Sequence, residues 1–382
     1  MKVSIAIDSF KGSLSSIEAG NGVKDGILRV YPDARIVVSP VADGGEGTVD
    51  ALISGLGGVR RAPEVTGPLG RKIKSEYGII PETKTAVIEM AAAAGITLVS
   101  DEELNPLNTT TYGVGELIKD AIENGCRNFI IGIGGSATND GGVGMLSALG
   151  FSLLDSDGNP IPLGGKGLEK LSSVSAENAL PELSDCVFSI ACDVTNPLCG
   201  KDGCSAVYGP QKGADSDMIV KMDKWLSNYA GIAKKYNPDA DMDYPGCGAA
   251  GGLGFAFRTF LGGELKNGIA LILEQTGIRK HIESSDIVVT GEGRLDSQTA
   301  MGKAPAGVSA IAKEYGKPVI AFSGCVTKDA VACNQCGIDA FFPIVRGATS
   351  LEDAMNRENA YANIADTAEQ VFRLIKTMTK FN

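Results

Sequence analysis

The chain has one histidine, His281, in 382 residues. That excludes paired-histidine metal centres and argues against a Ser-His-Asp apparatus, leaving acid–base chemistry to Asp, Glu or Lys. It also lacks any run of Lys or Arg, and its formal charge is −11. The basic stripe that a nucleic-acid surface needs is therefore missing. No apolar stretch is long enough to span a bilayer, since the longest, 86–99, is broken by Glu89. The opening residues, Lys2-Val3-Ser4-Ile5-Ala6-Ile7-Asp8, read as a strand and not as a signal peptide. These features predict a cytoplasmic protein with neither nucleic acid nor membrane as a partner. The nine cysteines form no even framework, and Cys333-Asn334-Gln335-Cys336 lacks further ligands at zinc spacing. Reduced, mostly structural thiols are expected. The Walker A pattern is absent as well, because Gly302-Lys303 is followed by Ala304.

Glycine is what the chain has in excess. Its 50 glycines make up roughly 13% of the residues, against a usual ~7%. They cluster at the ends of apolar runs, where close turns and ligand loops belong. The length exceeds what one core of about 250–300 residues holds, which favours two domains. Apolar runs alternate with helical segments, the signature of an α/β protein with parallel strands. Six runs read as buried strands: Val3–Ile7, Arg35–Ser39, Phe129–Ile133, Asp286–Thr290, Pro318–Ser323 and Ala340–Val345. Ser15 and Glu18 form a capping box for a helix running towards Val30. Two long intervals break the rhythm. We therefore expect a Rossmann-like, doubly wound parallel-sheet domain assembled from 1–58, 109–150 and 281–382, with a second α/β domain inserted as 59–108 and 151–280.

Ligands of open parallel sheets sit at the carboxyl ends of the strands, and polar residues crowd those ends here. Asp8-Ser9-Phe10-Lys11-Gly12-Ser13 follows the first run and Ala42-Asp43-Gly44-Gly45-Glu46-Gly47-Thr48 the second. Gly132 to Gly142 follow the third, and Gly291-Glu292-Gly293-Arg294-Leu295-Asp296 the fourth. In the third cluster, Gly134 and Gly135 let backbone N–H groups approach an anion. Ser136 and Thr138 add hydroxyl donors, Asn139 continues the loop, and Asp140 is the type of carboxylate that holds Mg²⁺. The stretch Gly132-x-Gly134-x-x-Ala137 also fits a loose dinucleotide fingerprint. However, Thr-Asn-Asp-Gly-Gly intervenes before any helix, which speaks against NAD.

Each remaining candidate has a structural rival. Lys11 suits a phosphate or carboxylate clamp, or is a solvated lysine at a helix start. Asp43 and Glu46 flank a Gly-Gly turn and can face one cleft, although Asp43 also suits a helix N-terminus. Asp193, before a Thr-Asn-Pro turn, is placed to take a proton from a substrate hydroxyl or merely to start that turn. Gly209-Pro210-Gln211-Lys212-Gly213-Ala214 sets a lysine between glycine turns. Glu292, Arg294, Asp296, Gln298, Thr299 and Lys303 mix both charge signs with glycine, as an ATP–Mg²⁺ or carboxylate site requires; salt bridges at a domain junction would use the same residues.

Taken in order, these motifs resemble the bacterial glycerate kinases that open with Asp-Ser-Phe-Lys-Gly. To those already quoted are added Asp193-Val194-Thr195-Asn196-Pro197-Leu198, Tyr208 to Ala214, Gly248-Ala249-Ala250-Gly251-Gly252-Leu253-Gly254 and Gln298-Thr299 with Gly302-Lys303. Together they run across nearly the whole chain. Tyr208 and Cys204 stand where Phe and a smaller residue are expected. The resemblance implies ATP- and Mg²⁺-dependent phosphorylation of D-glycerate, with 2-phosphoglycerate favoured over 3-phosphoglycerate, in a cleft between two α/β domains. Our own assignment of roles gives the ATP phosphates to Gly134, Gly135, Ser136, Thr138, Asn139 and Lys303. Mg²⁺ goes to Asp140, Asp43 or Asp296. Asp8, Ser9, Lys11, Asp43, Glu46 and Arg294 receive the substrate. Asp193 is the preferred base and Asp296 the second, while Lys11, Arg294 or Lys303 grips the substrate carboxylate and the transferring charge. A kinase for another small hydroxy acid and a non-catalytic sensor of glycerate or nucleotide are the alternatives. The survival of Asp8, Asp43, Asp140, Asp193 and Asp296 favours the enzyme, and the sequence leaves room for a homodimer.

Overall fold

The computed structural model describes residues 1–42, 44–45 and 47–378. The chain forms two compact units. The first comprises Met1–Asp43, Asp50–Leu56 and Ile269–Asn382, the second Gly44–Val49 and Gly57–Gly268. Among the described residues, no helix is long and apolar enough to cross a membrane.

The first unit is built on a five-stranded sheet in the order Ala340–Pro343, Val319–Val326, Ile287–Leu295, Lys2–Ile7, Arg35–Val38. Every neighbouring pair is parallel. Parallel strands need both faces covered, and the apolar runs meet that need. On one face, Val3, Ile5 and Ile7 pack with Ala19, Val23 and Ile27 of helix Ser16–Leu28 and with Ile364 and Phe372 of helix Arg357–Met378. On the other, Val288, Val319 and Ala321 pack with Val308 and Ala312 of helix Ala304–Glu314. The Ser15–Glu18 capping box is formed. Counted along the unit, the strands stand in the order 2-1-3-4-5, so the winding reverses between Lys2–Ile7 and Ile287–Leu295. A sheet of this kind opens a crevice at such a switch point.

The second unit carries a six-stranded sheet in the order Glu264–Lys266, Val187–Ala191, Asn128–Gly132, Thr85–Glu89, Tyr77–Ile80, Val59–Arg61. Its first four strands are parallel and the last two are added antiparallel. Phe129 and Phe188 stack across neighbouring strands, ring centroids 4.8 Å apart.

This pairing moves one segment. The run at Phe129–Ile133 was expected in the first domain with the rest of 109–150, yet it lies between Thr85–Glu89 and Val187–Ala191 in the second sheet. The physical reason is plain: apolar periodicity marks a buried strand but carries no record of which sheet receives it. Residues 269–280, expected in the insertion, belong to the first unit.

Candidate active site

At the switch point of the first sheet lies a cavity of about 450 Å³. Part of its lining is charged. Asp8 and Lys11 come from the loop after Lys2–Ile7, Glu292 and Arg294 from the last residues of Ile287–Leu295, and Asp296 and Lys303 from the loop beyond. Glu292 is 8% exposed, whereas the Arg294 side chain, two residues nearer the end of the strand, is 67% exposed. Asp8 accepts from the Ser9 N–H through Oδ1 at 2.7 Å, and its own N–H reaches the Gly291 carbonyl at 2.9 Å. Asp296 Oδ1 accepts from the Gln298 N–H at 3.0 Å, and its Oδ2 lies 3.4 Å from Arg294 Nε. Thr299 donates its hydroxyl to Glu292, whose other oxygen is 3.9 Å from Lys303 Nζ. The result is a polar set held by short local bonds.

The lining also has an apolar part, Phe10, Ile344, Leu351, Ala354, Met355 and Ala360. Helix Leu351–Met355 comes so near the 8–13 loop that a Cβ at Gly12 would lie 2.8 Å from the Met355 methyl. Gly12 has a left-handed backbone (φ 77°) as well, so a side chain there is opposed twice.

In the second unit, the Gly134–Asp140 loop and Asp193 leave neighbouring parallel strands at the same edge, Gly132 being paired with Ala191. Gly134 and Gly135 are exposed, but Ser136 is nearly buried, and Thr138, Asn139 and Asp140 have no exposure at all. Their polar atoms are turned inward. Asn139 donates to Ser205 Oγ at 2.9 Å. Asp140 Oδ2 accepts from Thr111 N–H and Oγ1 at 2.8 and 2.9 Å, and its Oδ1 from the Gly142 N–H at 3.1 Å. Burial pushes the Asp140 carboxyl above its ordinary range, against the pull of those donors. Lys212, 1% exposed, donates to Ser136 Oγ and to the Thr138 carbonyl at 2.8 and 2.6 Å. Its desolvation lowers its pKa to about 8. Behind the loop, Ala250, Gly251 and Gly252 are left-handed (φ 52°, 65° and 95°). A Cβ at Gly251 would strike the Thr138 carbonyl at 2.1 Å, which is why glycine stands there. Asp193 is exposed, with Oδ1 accepting from Asn267 Nδ2 and the Gly268 N–H at 2.7 and 2.8 Å.

The structure thus gathers Asp8, Ser9, Lys11, Arg294, Asp296 and Lys303 in one cavity, and Gly134, Gly135, Ser136, Thr138, Asn139 and Asp140 in one loop. Asp43 and Glu46 lie outside the described residues. Glu292 and Lys212, both within motifs that sequence reading noticed, emerge as members of these networks only from the coordinates. Nothing in the sequence pointed to Leu351 or Met355.

A family model described as the glycerate kinase family matches residues 3–376. The chain belongs to the glycerate kinase family. It is 48% identical over 371 residues to glycerate 2-kinase of Escherichia coli K12, covering 97% of each chain. Glycerate kinase of Bacillus subtilis is 47% identical over 381 residues, with 99% of each covered. A solved structure described as a glycerate kinase 2 from Salmonella typhimurium LT2 superposes with a TM-score of 0.93 at 44% identity, over 100% of this chain and 99% of that one. Family membership makes the chain a kinase and fits the cavity's mixture of cations and carboxylates.

Among the described residues no cluster of three or more His, Cys, Asp or Glu side chains is arranged to hold a metal on its own. Mg²⁺ at a phosphate needs only one or two carboxylates besides phosphate oxygens and water. Asp8 and Asp296 in the lining of the cavity fit that donor set, whereas the enclosed Asp140 does not.

Proposed function

We propose that the protein phosphorylates D-glycerate with ATP in the presence of Mg²⁺, and that the 2-oxygen receives the phosphoryl group. One observation carries this reading: at the switch point of a parallel sheet, three cations and three carboxylates line one cavity. The relative described as a glycerate 2-kinase favours the 2-oxygen over the 3-oxygen. Phosphoryl transfer passes through a loose transition state, so the protein has chiefly to position groups and to neutralise charge. Lys11, Arg294 and Lys303 do the neutralising. Arg294, with its planar fork, suits a carboxylate or phosphate, and its contact with Asp296 orients it. Glu292 acts on Lys303 and Thr299 and so positions the loop.

Asp8 and Asp296 are the residues we assign to Mg²⁺, which when bound offsets the phosphate charge. Asp140 then becomes a brace: its carboxylate ties the glycine-rich loop to Thr111. The exposed backbone of Gly134 and Gly135 is the part of that loop open to an anion. Asp193, fixed by Asn267 and Gly268, is our choice for the group that accepts the hydroxyl proton, with Asp296 second.

³¹P NMR of the protein with ATP, Mg²⁺ and D-glycerate tests the reading. A new phosphomonoester signal split by one proton marks the 2-phosphate, and splitting by two protons marks the 3-phosphate. Unchanged ATP and glycerate would sink the proposal and turn attention to another hydroxy acid.

A further inference from the structure

We infer that the apolar side chains lining the first unit's cavity seat the purine ring of ATP, with Leu351, Ala354 and Met355 as its wall. This rests on the reading of the protein as an ATP-dependent kinase. The cavity, about 450 Å³, is of the size that takes a nucleotide-like molecule. A three-carbon acid, polar on every side, fills a small part of it and offers nothing to an apolar wall. A nucleotide offers a partner to both parts of this lining, a flat base to the apolar side chains and anionic phosphates to the cations.

Two further observations agree. Leu351 is 75% and Met355 37% exposed although both line the cavity beside charged groups; a base lying on them removes that surface from water. The Ser13 hydroxyl, also in the lining, is buried without a hydrogen-bond partner, and a ribose or base atom can satisfy it. The wall of Ile344, Leu351, Ala354, Met355 and Ala360 presents no side-chain donor or acceptor. The base is therefore held by contact and not read by its edge, and nucleotides with other bases should serve nearly as well.

The test uses the full-length protein, with calorimetric titration of ATP alone and steady-state turnover with ATP or GTP. Variants Leu351→Asp and Met355→Glu sit at exposed positions, and thermal unfolding checks that each remains folded. The expected result is a rise of roughly tenfold or more in Kd and KM for ATP, the worth of one apolar side-chain contact. KM for glycerate should stay within about twofold, and GTP should support turnover within about tenfold of ATP, since no base edge is read. Unchanged ATP affinity in both variants overturns the inference, as does a preference for ATP over GTP above roughly a hundredfold. If those results come with normal wild-type turnover of glycerate, only the purine assignment fails. If wild type neither binds ATP nor phosphorylates glycerate, the kinase reading falls and takes this inference with it.

Discussion

The Lys212 ammonium, almost wholly buried, holds Ser136 Oγ at 2.8 Å and the Thr138 carbonyl at 2.6 Å. The Gly134–Asp140 loop thus owes its shape to a charge taken out of water some seventy residues further along the chain. With Asp140 tied to Thr111, the loop is pinned from two sides.

Lys212→Met should loosen this loop. It leaves the Thr138 carbonyl and the Ser136 hydroxyl without their donor, a cost of about 1–3 kcal/mol. The pH dependence separates charge from packing. Folded Lys212 gives up its proton near pH 8, whereas the unfolded chain holds it to about 10.5. Below pH 8 both states are protonated and the desolvation cost is borne in full. Between pH 8 and 10.5 the unfolded state binds more protons, so wild type should gain stability relative to the Met variant, by up to roughly 3 kcal/mol. Denaturant unfolding of both proteins across that range measures the difference; parallel curves would contradict it.

Asp140→Asn distinguishes a brace from a metal ligand. An amide cannot accept from Thr111 N–H, Thr111 Oγ1 and Gly142 N–H together, and stability should fall by about 1–3 kcal/mol. The Mg²⁺ concentration giving half-maximal rate should stay unchanged in whatever activity survives. A large shift in that concentration would return Asp140 to the metal.

Lys303→Met and Arg294→Met remove the cations that we assign to phosphate charge, and each should lower kcat/KM by roughly 10²–10³. Both residues are partly exposed, so unfolding temperatures should barely move. Steady-state kinetics alongside thermal unfolding checks this; a matching loss of stability would mean that the residues are structural.

Asp193→Asn and Asp296→Asn should part company. The first should lower kcat and leave ATP affinity intact, because we assign its side chain to the substrate's proton. The second should raise the Mg²⁺ requirement. Rapid-quench measurement of the chemical step, with Mg²⁺ varied, tells them apart, and full activity of Asp193→Asn would pass the base to Asp296.

Much of this was legible beforehand. Apolar runs such as Val3–Ile7 and Pro318–Ser323 announce buried strands because both faces of a parallel sheet must be covered, and the Ser15–Glu18 box marks a helix start through local bonds alone. The loops after Lys2–Ile7 and Ile287–Leu295 stood out because they follow the carboxyl ends of parallel strands, and the fold brings both to one cavity. Sheet membership was not: Phe129–Ile133 looks like any other buried strand, and its neighbours are chosen by packing far away in sequence. The tie of Asp140 to Thr111, 29 residues upstream, was not legible, because nothing local betrays the pairing. Leu351 and Met355 gain meaning only when the chain brings them to the cavity that Phe10 and Lys11 also line.

The parallel pairing of Val3 with Ile287, and the bond from Lys2 N–H to Asp286 at a separation of 284 residues, set a timetable for synthesis. The first strand leaves the ribosome with one edge open and waits for almost the whole remaining chain before its central neighbour is made. The second unit has all but a few of its residues in the uninterrupted Gly57–Gly268 stretch, and it is complete before that moment. Refolding of the intact chain should accordingly be paced by closure of this long loop. The cavity lies on the seam that closes last, so capacity to bind ligand is gained only when nearly the entire polypeptide has been committed to its fold.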